Sequence, residues 1–166
     1  AFLRYLFGTI FLLPIIVNSF KDIQIKLMKK FVLRSFFHAI GVSLWFYSMT
    51  VITIAEVTAI GYLTPIFVCI GAIILFKENI KGFRAFAITL SFIGAMIILR
   101  PGFQEINLGQ YSMLLAAFVF SFSYLMVKYL ANTKSSLEIV GFLSIFTTIF
   151  LTPLALIHWV ELNTDQ

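Results

Sequence analysis

The sequence predicts an all-α polytopic membrane protein with six transmembrane helices. Of its 166 residues, 61% are hydrophobic and only 11% are charged, and the mean hydropathy is +1.03. Soluble domains have about 45–50% apolar and about 25% charged residues. The apolar residues form six runs, each close to the roughly 20 residues that a helix needs to cross a bilayer. The runs lack the alternation of a transmembrane barrel, so helices are expected.

The six runs are named segments A to F in chain order. Their approximate bounds are 2–17, 36–53, 57–76, 83–99, 111–127 and 139–160. The connections 18–35, 77–84 and 128–138 contain ten of the twelve Lys and Arg residues, and only Arg4 and Arg100 lie elsewhere. Because cytoplasmic loops are enriched in Lys and Arg, we expect these three connections to be cytoplasmic. The basic residues therefore indicate membrane orientation, and no nucleic-acid partner is expected.

One stretch of sequence occurs twice. "FGTIFLLP" at 7–14 returns as "FTTIFLTP" at 146–153, and six of twelve positions match between residues 6–17 and 145–156. Segments A and F are five helices apart, so they cross the membrane in opposite directions. This favours an inverted repeat of five helices, an architecture typical of secondary transporters. The alternative is coincidence, since Phe, Ile and Leu recur throughout the chain.

The repeat predicts a longer protein of ten helices, of which this chain holds the second to the seventh. The chain starts at Ala1 without an initiator Met, which agrees with that expectation. Residues 1–102 are then helices two to five of the first repeat. Residues 103–166 are the first two helices of the second repeat.

Segment B has a polar and aromatic face. This face consists of His38, Gly41, Trp45 and Ser48, which share one side of a helix by their spacing. It lines either a water-filled cavity or a packing contact through its small residues, and the spacing does not decide between them. His38 is expected near the cytoplasmic interface.

Segment C contains a break. Pro65 has no N–H to donate to the carbonyl of Gly61, so we expect a kink with Tyr62 and Thr64 as polar neighbours. Such kinks are tolerated where they line a cavity. Just before the segment, Thr53 and Glu56 have the spacing of a capping box. The alternative for Glu56 is a residue at the mouth of a pathway, where it attracts cations or exchanges a proton.

Segments D and E have small or polar faces. Ser121 and Tyr124 of segment E are candidates to contact a solute. Ala87, Ser91 and Ala95 of segment D form a small-residue strip, which is expected to pack against a neighbouring helix. The sequence contains no catalytic motif, and Cys69 is the only cysteine. We therefore expect no enzyme activity, cofactor, metal site or disulfide.

Residues 51–102 resemble the EamA-type branch of the drug/metabolite transporter superfamily. The similar features are Pro65 within a small-residue-rich helix, Glu78 just after that helix, and a glycine-containing helix that ends in "RPG" at 100–102. Arg4 and "GQYSMLLAAFVFSFSYLMVKYL" at 109–130 are also similar to this family.

The resemblance implies a transporter in the bacterial inner membrane whose segments B, C and E line a central cavity. The implied function is a permease that moves a small solute by alternating access. Solutes of such families include amino acids, S-adenosylmethionine-like compounds and vitamins. The main alternative is a multidrug-type exporter. An intramembrane enzyme or a structural scaffold is less favoured, since neither explains both the repeat and the polar faces.

Overall fold

The computed structural model describes residues 1–20, 23–77, 82–99 and 107–157. Within these ranges the secondary structure is helical, which confirms the predicted all-α class. The helices are α1 (Phe2–Phe20), α2 (Ile25–Val51), α3 (Ile54–Gly61), α4 (Thr64–Phe76), α5 (Gly82–Leu99), α6 (Leu108–Leu130) and α7 (Ser136–Ile157).

The described helices form a multi-pass membrane protein. Four segments are long and apolar enough to cross a bilayer: α1, α3 together with α4, α6 and α7. Helix α5 has a shorter apolar part, Ala85–Ile97. Helix α2 has 27 residues, but its first half carries four basic side chains, and these lower its hydropathy.

Helix α2 begins earlier than the sequence predicted. Segment B was expected to start at residue 36, after the connection 18–35, whereas the helix starts at Ile25. Four of the five basic residues of that connection therefore lie on a helix. They are Lys26, Lys29, Lys30 and Arg34. Lys and Arg are good helix formers, so the helix continues past its apolar part. A boundary predicted from an apolar run marks only the part of a helix that is suited to lipid, so it missed the basic first turns of α2.

Helix α2 packs against α6 in an antiparallel arrangement. Ser48, late in α2, donates a 2.9 Å hydrogen bond from Oγ to the carbonyl of Gly109, early in α6. Earlier in α2, Gly41 lies so close to α6 that a Cβ there would be 2.8 Å from the ring of Phe120. Gly41 thus makes room for the Phe120 ring, a contact at a small residue of the kind common between membrane helices.

Helices α1 and α7, which contain the repeated stretch, are antiparallel neighbours. Ser19 near the end of α1 donates a 2.6 Å hydrogen bond to Glu138 at the start of α7. The hydroxyl oxygens of Thr9 and Thr148, which occupy equivalent positions of the repeat, are 3.4 Å apart. The two segments therefore run in opposite directions, as an inverted repeat requires. The division of the chain into repeats at residue 102 stays a prediction.

Candidate functional site

A cavity of about 710 Å³ lies between α3, α4, α5 and α6. Its wall is mostly apolar, with several hydroxyl groups, and none of the described lining residues has a charged side chain. These are Thr58, Gly61, Tyr62, Thr64, Pro65, Ile66, Val68, Cys69, Ala87, Ile88, Ser91 and Tyr124. Three predicted residues of segment C and one of segment E therefore meet in a single cavity.

The break between α3 and α4 forms one wall of this cavity. Helix α3 ends at Gly61 and α4 begins at Thr64, and the N–H of Leu63 donates to the Ile60 carbonyl at 2.9 Å in a tight turn. Pro65 lies in the first turn of α4, where its missing N–H leaves no helical bond unmade. The predicted break at Pro65 is confirmed. Tyr62 and Leu63 form the turn that separates the two helices, which together make one span of 23 residues.

Helix α5 forms the opposite wall. Its Ala95 is buried in an apolar cluster with Val57 and Ile60 of α3. Ala87, two turns earlier, is exposed, and both Ala87 and Ser91 line the cavity. The predicted packing strip is therefore wrong for Ala87 and Ser91. Helix α5 contacts α3 near Ala95 and leaves a gap beside α4, which a small-residue pattern alone does not reveal.

Two tyrosines are the largest polar side chains that line the cavity. Tyr62 is 60% exposed and Tyr124 is 47% exposed, so both have ring surface available to a solute. The ring of Tyr124 also stacks on Phe120 of the same helix, with centroids 6.2 Å apart. Ser121, the other candidate of segment E, is buried and donates to the Phe118 carbonyl at 2.6 Å. It is not among the lining residues.

The candidate face of α2 lies outside this cavity. His38 is only 8% exposed, and its Nε2 lies 2.8 Å from the Tyr5 hydroxyl. The expectation of an interfacial His38 was wrong, because the early start of α2 places this residue in the middle of the helix. Gly41 and Ser48 make the contacts with α6 described above, and Trp45 packs on the cluster around Ile60. The described contacts of this face are packing contacts, and a role in solute binding stays a prediction.

Glu56 caps α3, as the sequence favoured. Its Oε2 accepts hydrogen bonds from the backbone N–H and the hydroxyl of Thr53, at 3.0 and 2.7 Å. Its Oε1 accepts a 2.7 Å hydrogen bond from Nε2 of Gln110. Gln110 forms a second capping box with Asn107 at the start of α6. Sequence reasoning missed this link, although the Asn-x-x-Gln spacing is itself a capping signal.

Comparison with known proteins identifies the family. Residues 1–100 match the profile of the EamA-like transporter family. The chain is 28% identical over 162 residues to the S-adenosylmethionine uptake transporter of Rickettsia prowazekii, covering 96% of the chain and 55% of that protein. It is 27% identical over 161 residues to the riboflavin transporter of Brucella anthropi, covering 96% and 55% of the two proteins.

A second riboflavin transporter, from Vibrio cholerae, is 34% identical over 128 residues, which cover 76% of the chain and 43% of that protein. The chain thus spans about half the length of the curated relatives it matches. No solved structure is significantly similar to it. The profile match includes the helices α1 to α5, so the chain belongs to the EamA-like transporter family.

Proposed function

We propose that this chain is part of a secondary transporter that moves a small organic metabolite across the bacterial inner membrane by alternating access. The observation that carries the proposal is the cavity beside the break between α3 and α4. Helix breaks at membrane depth are tolerated where they line a cavity, and discontinuous helices form the solute sites of many transporters. The cavity volume of about 710 Å³ is within the range of about 300–1,000 Å³ for small-molecule sites.

The wall of the cavity favours a solute with a planar heteroaromatic ring. Tyr62 and Tyr124 present exposed rings, on which a flat heterocycle can stack. The Thr58 hydroxyl donates to the Ile54 carbonyl at 2.8 Å and can accept a hydrogen bond from a solute, and the Ser91 hydroxyl can donate or accept one. Among the described residues that line the cavity no side chain is charged, so these residues would recognise a solute through its ring and its polar groups. S-adenosylmethionine-like and vitamin-like compounds both carry planar nitrogen heterocycles, and we propose that the solute belongs to one of these classes.

The proposed whole protein has ten helices in two inverted repeats. Residues 1–102 provide helices two to five of the first repeat, and residues 103–166 provide the first two helices of the second. The antiparallel contact of α1 with α7 at Thr9 and Thr148 supports this arrangement. In this proposal α2, the span of α3 and α4, and α6 form half of the transport pathway. The function requires no catalytic residue and no cofactor.

Solute counterflow tests the proposal. The full-length protein would be reconstituted in liposomes that are preloaded with unlabelled solute, and entry of the labelled solute would be measured. We expect counterflow of S-adenosylmethionine or riboflavin and none of alanine, with protein-free liposomes as the control. Counterflow of alanine alone would contradict the proposed heteroaromatic class of solute, although the proposal that the protein is a permease would stand. Counterflow of none of the three would contradict the transport proposal.

The proposed membrane orientation predicts the labelling of single cysteines. Cys69, the only cysteine of the chain, and any cysteine in the rest of the full-length protein would first be replaced by alanine. In whole cells, a membrane-impermeant maleimide should label Gln104→Cys, a position outside the described residues. It should label Lys29→Cys, on α2, only after the cells are permeabilised. The reverse pattern would contradict the orientation that the basic residues predict.

A further inference from the structure

Three adjoining cavities surround the first half of α2. The first, here the lysine pocket, has a volume of about 710 Å³ and is lined by Lys26, Lys29, Lys30 and Lys134, among others. The second, the inner groove, has about 460 Å³ between α2, α4 and α6, with a mostly apolar wall that includes Phe37 and Phe122. The third, the outer groove, has about 580 Å³ between α2 and α7, with a similar wall that includes Val32 and Phe150.

The three cavities are neighbours and share lining residues. Lys30 and Tyr129 line both the lysine pocket and the inner groove. Lys29 lines both the lysine pocket and the outer groove. Leu33 lines all three, and 46% of its surface is exposed. The site therefore consists of one lysine-lined pocket and two mostly apolar grooves beside it, all of them lined by residues of α2.

The lysine pocket has a positive charge. Within the described ranges, the carboxylate that pairs with its lysines is Glu138, whose Oε1 lies 2.9 Å from Nζ of Lys134. Lys30 Nζ lies 3.1 Å from the centre of the Tyr129 ring. Lys26 and Lys29 are exposed at the pocket. Among the described residues, four ammonium groups stand against one carboxylate, and this excess of positive charge favours an anion.

The start of α2 adds to this attraction. Gln24 precedes the helix, lines the pocket and makes no capping hydrogen bond with its side chain. The amino end of a helix carries a partial positive charge that favours anions, phosphate groups in particular.

We propose that this site binds one anionic phospholipid, with the phosphate among Lys26, Lys29 and Lys30 and one acyl chain in each groove. Basic pockets between membrane helices on the cytoplasmic side are suited to anionic headgroups. A free phosphate would use the lysine pocket alone. The two grooves beside it match the two acyl chains of a phospholipid, and both lie on a helix of a membrane-spanning bundle.

Lipid retention by the full-length protein tests the proposal. The protein would be delipidated in detergent and incubated with phosphatidylglycerol or with phosphatidylcholine of the same acyl chains, and bound lipid would be counted by native mass spectrometry. We expect one phosphatidylglycerol to be retained and to raise the Tm, while phosphatidylcholine does neither. Equal retention of the two lipids would contradict the proposal. Glycerol phosphate, which lacks acyl chains, should not compete; if it raises the Tm as much as phosphatidylglycerol, the site binds a small anion and not a lipid.

Variants separate the headgroup from the acyl chains. Lys26→Gln with Lys29→Gln should weaken phosphatidylglycerol binding by about fivefold for each lysine removed. Lys77→Gln is the matched control, because Lys77 follows α4 at the same end of the bundle but does not line the pocket. Leu33→Gln, at an exposed position, should lower retention without loss of folded protein. Unchanged affinity in the double lysine variant would contradict the site, and unchanged retention with Leu33→Gln would contradict acyl chains in the grooves.

Discussion

Replacement of both Tyr62 and Tyr124 by alanine is expected to raise the KM for transport at least about tenfold, since a ring stacked on a planar heterocycle contributes about 1–3 kcal/mol. Both tyrosines line the cavity beside the helix break. Tyr62 is 60% and Tyr124 47% exposed, and Tyr124 also stacks on Phe120, so its truncation costs some stability and KM is compared at equal amounts of folded protein. The measurement is the concentration dependence of counterflow by the full-length protein.

Two control variants test whether the rise in KM is specific to the rings of Tyr62 and Tyr124. Tyr111→Ala removes a ring of similar exposure, 56%, from the same helix α6 but outside the cavity, and it should leave KM unchanged. Changing Tyr62 and Tyr124 to phenylalanine keeps both rings and should retain most of the transport. A normal KM in the double alanine variant would show that the cavity does not bind the solute.

Gly41→Val is expected to lower the stability of the folded protein strongly. A Cβ at Gly41 would lie 2.8 Å from the ring of Phe120, and this ring is held between His38 and Tyr124, with which it makes aromatic contacts. The added atoms require either the Phe120 ring to leave its contacts or α2 to move away from α6. Overpacking of this kind costs about 1–3 kcal/mol. The measurement is the Tm in detergent together with the yield of monodisperse protein.

Gly94→Val on α5 is the matched control, because no atom lies within 4 Å of a Cβ built at Gly94. It makes the same chemical change in another apolar helix and should leave the Tm nearly unchanged. An equal Tm for the two variants would mean that the contact between α2 and α6 at Gly41 is not close in the folded protein.

The features predicted correctly from sequence have local causes. The capping box of Thr53 and Glu56 depends on residues three apart, and the break at Pro65 depends on one missing N–H. The all-α class follows from composition and the length of apolar runs. Each of these signals requires only neighbouring residues, so it can be recognised without knowledge of how helices pack.

The features that sequence reasoning missed depend on contacts between helices or on residues of mixed character. The start of α2 at Ile25 was missed because a basic helical extension differs from an apolar run. The position of His38 followed from that error. Ser91 was assigned to packing because spacing does not show that α5 leaves a gap beside α4. The hydrogen bond from Gln110 to Glu56 joins residues 54 positions apart.

The break between α3 and α4 has a mechanical consequence. At about 1.5 Å per residue, the eight residues of α3 and the thirteen of α4 extend about 12 and 20 Å. Neither piece alone reaches across the roughly 30 Å of hydrocarbon. Since Pro65 has no N–H to give up, a change in the angle between the pieces disrupts fewer backbone hydrogen bonds than bending an intact helix would. The break can thus serve as a hinge, and any rotation about it changes the width of the cavity at Tyr62.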